Sequence, residues 1–324
     1  MSGPPDGVLQ ALRAEKLEIE ENAPLAPLTT FRIGGNAAVL VTTRSPEEVV
    51  RTVRIAKEHG VPWALVGGGS NLLVADEGFA GVVVLVRAGR VTIHGTEIEA
   101  EAGADLGRLV ASSAWAGLGD LTFAAGIPGT LGGAVAGNAG AWGRAIGECV
   151  ISVHLLRVAT MESVEVPSAE LGFEYRSSAV HRSGDVVLSA RLGLEPTDKK
   201  VLLKQIEDNV AKRALRIPDL PSAGSFFRNL PPVRPGEPRE PAGRLLESVG
   251  AKGMRVGDAG VTDKHANVIV NLGHARTRDV LALATELERR VADKYGIKLV
   301  REVRVLGGEQ VESRKSKVES RGAT

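Results

Sequence analysis

Two glycine-dense segments are the strongest chemical signal in the chain. Gly67-Gly68-Gly69-Ser70-Asn71 directly follows the apolar run Trp63–Val66, and eight glycines fall between Gly126 and Gly147. Successive glycines can turn backbone N–H groups inward as an anion-binding nest, and Ser70 and Asn71 can add side-chain donors. In the second segment Pro128 stiffens a turn, while Gly132 and Gly133 permit close backbone approach. Small residues from Gly126 to Gly140 leave room for a flat, bulky ligand. Tight turns or strand packing would explain the first segment alone better than a ligand does. Two such segments suit a ligand carrying two phosphates.

Familiar catalytic signatures are absent. There is no G-x-G-x-x-G after a strand, no P-loop, no H-E-x-x-H and no G-x-S-x-G. The six histidines are scattered, and His265 and His274 lack partners at zinc-site spacing, so no metal site is expected. Any chemistry must rest on the glycine segments and on isolated polar residues.

The elements that would position these groups are readable from caps and periodicity. Ser45-Pro46-Glu47-Glu48 starts a helix, with Ser at the N-cap, Pro at N1 and Glu48 reaching back, and Gly60 stops it. Strands are expected at Val39–Val41, Trp63–Val66 and Gly81–Arg87, and a hairpin at Val91–His94 and Glu97–Glu101. A helix over Asp105–Ala116 follows, then strands at Val150–Arg157, Glu162–Val166 and Asp185–Leu194. Leu9–Ile19 has weak helical character, and Lys199–Arg213 is a helical connector near the main domain boundary. Further on come a short helix at Arg244–Val249 and a strand at Asn267–Asn271. Thr277–Tyr295 is a helix with Val280, Leu281, Ala284, Leu287 and Val291 on one face. Lys298–Val305 reads as the last strand, with Glu302 sharing a face with Val300 and Arg304.

Composition narrows the class. Forty basic and 39 acidic side chains in 324 residues leave a net charge of +1, unsuited to coating nucleic acid or an anionic membrane. No apolar run approaches the ~18 residues of a membrane span, and the N-terminus shows no secretory signal. With Cys149 as the single cysteine, a disulfide framework is excluded, so a cytoplasmic location is expected.

Several strings, in order, resemble the UDP-N-acetylenolpyruvoylglucosamine reductase (MurB) family. They are Thr29-Thr30-Phe31-Arg32-Ile33-Gly34-Gly35, Gly67–Asn71, Gly126-Ile127-Pro128-Gly129-Thr130 and Asn138-Ala139-Gly140-Ala141. Then follow Tyr175-Arg176-Ser177-Ser178, Pro221–Phe227, Lys264-His265-Ala266-Asn267 and Arg301-Glu302-Val303-Arg304. The resemblance spans residues 22–307, and it is their joint order that makes it specific. It implies an α+β FAD-binding fold of the vanillyl-alcohol-oxidase type with a C-terminal α+β substrate domain. It further implies non-covalent FAD, NADPH as co-substrate, and reduction of UDP-N-acetylglucosamine enolpyruvate to UDP-N-acetylmuramate for peptidoglycan.

The same resemblance assigns roles. Ser225 would protonate C2 of the enolpyruvyl group after hydride reaches C3, and Arg176 and Glu302 would handle the substrate carboxylate. Gly67, Gly68, Gly69, Ser70, Asn71, Gly126, Ile127, Pro128, Gly129, Thr130, Gly132, Gly133, Asn138, Ala139 and Gly140 would surround the cofactor. Tyr175, Asn229 and Arg213 are the substrate-binding candidates. Asn36, Trp142, Glu174 and Leu230 depart from the usual family pattern, which bears on loop geometry and flavin environment. The 49-residue spacing from Arg176 to Ser225, with only two tyrosines in the chain, resembles the shorter class without a tyrosine-bearing insertion.

The expected organisation is an extension (1–20), a flavin region of two lobes (21–75 and 76–200), a substrate domain (201–307) and a disordered tail (308–324). The last strand is expected to return to the first lobe, and the protein to act as a monomer. The competing readings are another FAD oxidoreductase or oxidase of the same fold, and a non-catalytic paralogue. Neither glycine segment holds a histidine of the kind that tethers flavin in many such oxidases.

Overall fold

The computed structural model describes residues 6–234 and 236–308. The expected tail from residue 309 onward, and residues 1–5 of the expected extension, lie outside the described residues.

The first sheet has four strands in the order Glu18–Pro24, Asn36–Thr43, Phe79–Val86, Trp63–Val66. The outer pair of Glu18–Pro24 and Asn36–Thr43 is antiparallel and the remaining pairs are parallel. The helix Pro46–Glu58 makes the crossover and buries Val49, Val53, Ile55 and Ala56. Its start follows the expected pattern with one change. Ser45 accepts from the Glu48 N–H, but the Glu48 carboxylate reaches past the cap to the Arg44 N–H at 2.6 Å.

A five-stranded antiparallel sheet follows, ordered Glu162–Pro167, Val150–Arg157, Val186–Gly193, Glu97–Glu101, Val91–His94. Helix Leu106–Trp115, capped by Asp105, covers it together with Leu131–Ala136. That second helix lies inside the glycine segment, where only turns and cradle were expected. Glycine disfavours helix, but burial of Leu131, Ala134 and Val135 in the core overrides the local preference.

The helix Lys199–Arg216 then leads to a third sheet, ordered Ser222–Ser225, Val268–Asn271, Ala259–Val261, Arg255–Val256. Thr277–Tyr295 packs here through Val280, Leu283, Ala284, Leu287 and Val291. Leu283 is fully buried and Leu281 only partly, so the apolar stripe is rotated slightly from the expected face.

Two expectations change. Leu9–Ile19 is split into the helix Asp6–Ala14 and the polar strand Glu18–Pro24, with Lys16 at φ +55° between them. The last strand is only Arg304–Leu306, parallel to Leu72–Val74. Before it, residues 300–302 pair intermittently with 226–228, through Arg228 N–H to Val300 O and Glu302 N–H to Phe226 O, both 2.8 Å. Because this segment passes from one sheet to another, the pleat does not continue. Val300 is 57% exposed while Glu302 is largely buried, so the two do not share a face.

Long-range polar contacts join the ends of the chain. Asp76 caps the helix Thr277–Tyr295 by accepting from the Thr277 N–H at 2.8 Å and the Arg278 N–H at 3.2 Å. The Thr277 hydroxyl donates to Val74 O.

Candidate active site and cofactor cradle

The two glycine segments touch each other. A Cβ on Gly68 would lie 2.7 Å from Gly129 Cα, and one on Gly67 would lie 2.4 Å from Thr130 Oγ1. A Cβ on Gly132 would lie 2.8 Å from the Ala102 side chain. Packing therefore accounts for the small size of Gly67, Gly68 and Gly132. The consequence of that contact is chemical. Among the described residues, no acceptor is found for the backbone N–H groups of Gly68, Gly69, Ser70, Gly129 and Thr130. Gly68, Gly69, Ser70 and Gly129 are partly exposed, so their donors are open to solvent or to a ligand. Two adjoining loops with unclaimed donors fit an anionic group such as a pyrophosphate.

Beside them lies a cleft of about 550 Å³, lined by Thr29, Thr30, Arg32, Gly68, Arg87 and Pro218–Pro221. Arg87 is fixed there by a bond from Nη1 to Gly67 O at 3.1 Å. Other expected cradle residues also make contacts within the protein. Asn138 spends its amide on protein groups, donating to Glu174 O at 2.9 Å and accepting from Gly147 N–H at 3.0 Å. Gly126 packs against the Arg213 side chain, and Gly140 O accepts from Arg176 Nη1 at 3.0 Å.

Tyr175 and Arg176 are the central residues of a tight turn closed by reciprocal bonds between Glu174 and Ser177, and Arg176 is held at φ +56°. A non-glycine residue in that region is strained and worth explaining. Here the turn projects the guanidinium onto Glu302, whose Oε1 lies 2.8 Å from Arg176 Nε. The Nε–H is not aimed at that oxygen, so the contact is an ion pair without a well-formed hydrogen bond. Burial pushes the Glu302 carboxyl above its ordinary pKa, opposed by the charges of Arg176 and Arg228.

Ser225 ends the strand Ser222–Ser225, after Gly224 at φ +71°. Its hydroxyl makes no hydrogen bond to the described residues, which leaves it available to a ligand. Phe226 and Phe227 anchor the loop from below, fully buried with ring centroids 5.2 Å apart. Glu302 N–H donates to Phe226 O, and Asn71 Nδ2 donates to Glu302 O at 3.1 Å. One backbone step therefore separates Ser225 from the residue that holds Glu302, and the first glycine loop holds Glu302 from the other side.

Arg213, on the connecting helix, is drawn below its ordinary pKa by burial and then by the nearby charge of Arg176. Asn229 has scaffolding contacts: its backbone N–H donates to Tyr175 Oη at 3.3 Å and its Oδ1 accepts from Ala242 N–H. Tyr175 also carries the Arg239 guanidinium 4.0 Å from its ring centre.

Sequence reasoning gives no role to three residues here and offers a fourth, Arg228, only as one of several cations available to a diphosphate. Asn267 clamps Phe227, accepting its N–H at 2.9 Å and donating to its carbonyl at 2.8 Å, while Asn267 O takes the Phe226 N–H. Its presence in Lys264–Asn267 was the available signal. Arg228 has a buried Nε without a hydrogen-bond partner and acts on Glu302. His265 lies in the same Lys264–Asn267 string, while Arg216 carries no sequence signal. His265 accepts Asn267 N–H at Nδ1, and burial, then Lys252 and Arg216, hold its pKa down.

Comparison with known proteins agrees with this geometry. Residues 37–164 match the FAD binding domain model, and residues 216–306 match the C-terminal domain of UDP-N-acetylenolpyruvoylglucosamine reductase. The reductase of that name from Moorella thermoacetica is 42% identical over 294 residues, covering 90% of this chain and 94% of the relative. The chain belongs to the UDP-N-acetylenolpyruvoylglucosamine reductase family. The Bacillus subtilis reductase is 38% identical over 307 residues, covering 93% of this chain and 98% of that protein. The crystal structure of the Thermus caldophilus reductase aligns with a TM-score of 0.76 at 35% identity, over 90% of this chain and all of that one. The protein is thus an FAD-dependent oxidoreductase, with an α+β flavin-binding fold followed by a C-terminal domain. Among the described residues, no helix is long and apolar enough to cross a membrane, and no group of three metal-binding side chains occurs.

Proposed function

We propose that the protein reduces UDP-N-acetylglucosamine enolpyruvate to UDP-N-acetylmuramate, with NADPH as reductant, in peptidoglycan precursor synthesis. The observation that carries this reading is the convergence on Glu302 of the Arg176 turn, the Ser225 loop and the first glycine loop. When bound, FAD would supply the hydride chemistry that links NADPH to the substrate. The unclaimed N–H groups of Gly68–Ser70 and Gly129–Thr130 are suited to its pyrophosphate.

The protein's own groups then have distinct tasks. Arg176 and Arg228 offer cationic nitrogens to a carboxylate next to the reacting double bond. Charge grows on that carboxylate as hydride arrives at C3, so fixed cations stabilise the transition state more than the ground state. Glu302 holds the Arg176 guanidinium in register. Ser225 supplies the proton to C2. A hydroxyl is a weak acid, and it serves only when held dry against a strongly basic carbanion-like centre. Arg213 and Arg216 supply cations for the diphosphate. We read the domain division as a flavin region over 21–200 and a substrate domain over 201–307. We also read the protein as a cytoplasmic monomer that acts on a small molecule, binding neither nucleic acid nor membrane.

The test is an anaerobic titration of the holoenzyme, monitored by flavin absorbance. NADPH should bleach the flavin, and the enolpyruvyl UDP-sugar should then restore it. Recovery on oxygen alone would refute the reading and favour an oxidase or a non-catalytic relative.

A further inference from the structure

Trp142 breaks a local rule. It and Gly143 are the central residues of the hairpin Gly140–Ala141/Arg144–Ala145, and both have positive φ, +57° and +81°. Such turns favour Asn, Asp or Gly at the first central position. A bulky aromatic there is a conformational outlier, and outliers of this kind cluster at functional sites. The ring does not compensate by burial, for Trp142 is 42% exposed.

Its surroundings are ordered. The Arg216 guanidinium lies 5.3 Å from the ring centre. Arg216 and Lys252 both act electrostatically on His265, and Arg213, one helical turn before Arg216, feels the charge of Arg176. At the root of the same hairpin, Gly140 O accepts from Arg176. The hairpin therefore runs from the Arg176–Glu302 pair to a group of cations, with Trp142 at its tip.

We propose that Trp142 is a base-stacking residue. Its indole receives the pyrimidine of a nucleoside diphosphate sugar whose phosphates lie at Arg213 and Arg216. This rests on the reading in the preceding subsection. The ligand's sequence of carboxylate, diphosphate and base matches the order Arg176, Arg213 with Arg216, and Trp142. Arg216 occupies one side of the ring, and the exposed remainder is left for a planar partner.

The experiment is calorimetric titration of the holoenzyme with UDP, inorganic pyrophosphate and NADP⁺. Trp142→Ala should weaken UDP about tenfold, the scale of one base–aromatic stack, and leave pyrophosphate and NADP⁺ unchanged; Trp142→Phe should recover most of the loss. Trp142→Asn adds a second readout: it relieves the strained turn, so the thermal midpoint should rise while UDP binding falls. Unchanged UDP affinity in the Ala variant overturns the proposal. Equal weakening of pyrophosphate would mean that the ring acts only through Arg216, and selective loss of NADP⁺ would assign it to the dinucleotide; either result overturns it. So does a lower thermal midpoint in the Asn variant, which marks a structural turn residue. If the wild-type protein does not bind UDP at all, the preceding reading falls as well; if wild type and variants bind UDP equally, only this proposal falls.

Discussion

Replacing Arg176 with Met keeps most of the side chain's reach and removes its charge. Arg176 and Glu302 are 28% and 16% exposed and lie 2.8 Å apart, so solvent screens them weakly. Two losses follow. The bond from Nη1 to Gly140 O contributes about 1 kcal/mol at any pH. The stranded Glu302 carboxylate adds a second, self-limiting loss, because it can take up a proton. At pH 7, neutralising a carboxyl whose ordinary pKa is 4.5 costs no more than about 3 kcal/mol, and less where burial has already raised it. The total is thus at most about 4 kcal/mol, far below the bare Coulomb energy of such a pair in a dry medium.

The sign of the pH dependence follows from the direction of the shift. Without Arg176, native Glu302 binds its proton more tightly than the unfolded chain does. The excess loss is therefore small near the ordinary carboxyl pKa, grows as pH rises, and flattens above the raised native pKa. Thermal midpoints of wild type and Arg176→Met, measured from about pH 5 to about pH 7 with excess FAD, test this. At roughly 2 °C per kcal/mol for a chain of this length, the gap should widen from about 2 °C to at most about 8 °C. A gap that is constant, or that narrows with rising pH, would refute the reasoning.

Other variants probe the remaining parts. Ser225→Ala should leave flavin bleaching by NADPH intact and slow reduction of the enolpyruvyl substrate by about 10²–10⁴-fold; rapid-mixing measurement of the two half-reactions separates them. Gly68→Ala forces a Cβ to within 2.7 Å of Gly129 Cα, so the loops must part. It should destabilise the fold by about 1–3 kcal/mol and release flavin on gel filtration, and full flavin retention would show that the contact is dispensable. Asn267→Ala unpairs both buried backbone groups of Phe227, with an expected loss of about 2–4 kcal/mol in chemical denaturation. A loss no larger than that of a surface alanine would remove the clamp from the account.

Elements whose signals are local were legible in the sequence. Trp63–Val66, the hairpin Val91–His94/Glu97–Glu101 and the helix Thr277–Tyr295 have the bounds that periodicity and turn residues indicate. What escaped was written in partners rather than in runs. Glu18–Pro24 has no regular apolar alternation and exists because Asn36–Thr43 pairs with it. Leu72–Val74 is too short to carry a period, and the pleat before Arg304 is interrupted by its passage between sheets. In the site, motif strings marked Ser225, Arg176 and Glu302, but no spacing marks Asn267 as a clamp or Arg228 as a neighbour of Glu302. The glycine segments read as a ligand cradle. Gly67, Gly68 and Gly132 also serve to let chain segments touch, a purpose that composition cannot separate from the first.

The ties between Asp76 and Thr277, between Asn71 and Glu302, and between Leu72–Val74 and Arg304–Leu306 join positions more than 200 residues apart. During synthesis, the flavin-binding half emerges long before the segment that carries Glu302. Contacts of such sequence separation form late and slowly. A nascent chain could therefore hold flavin for a period in which it has no complete catalytic centre, and completion of that centre awaits almost the last described residues.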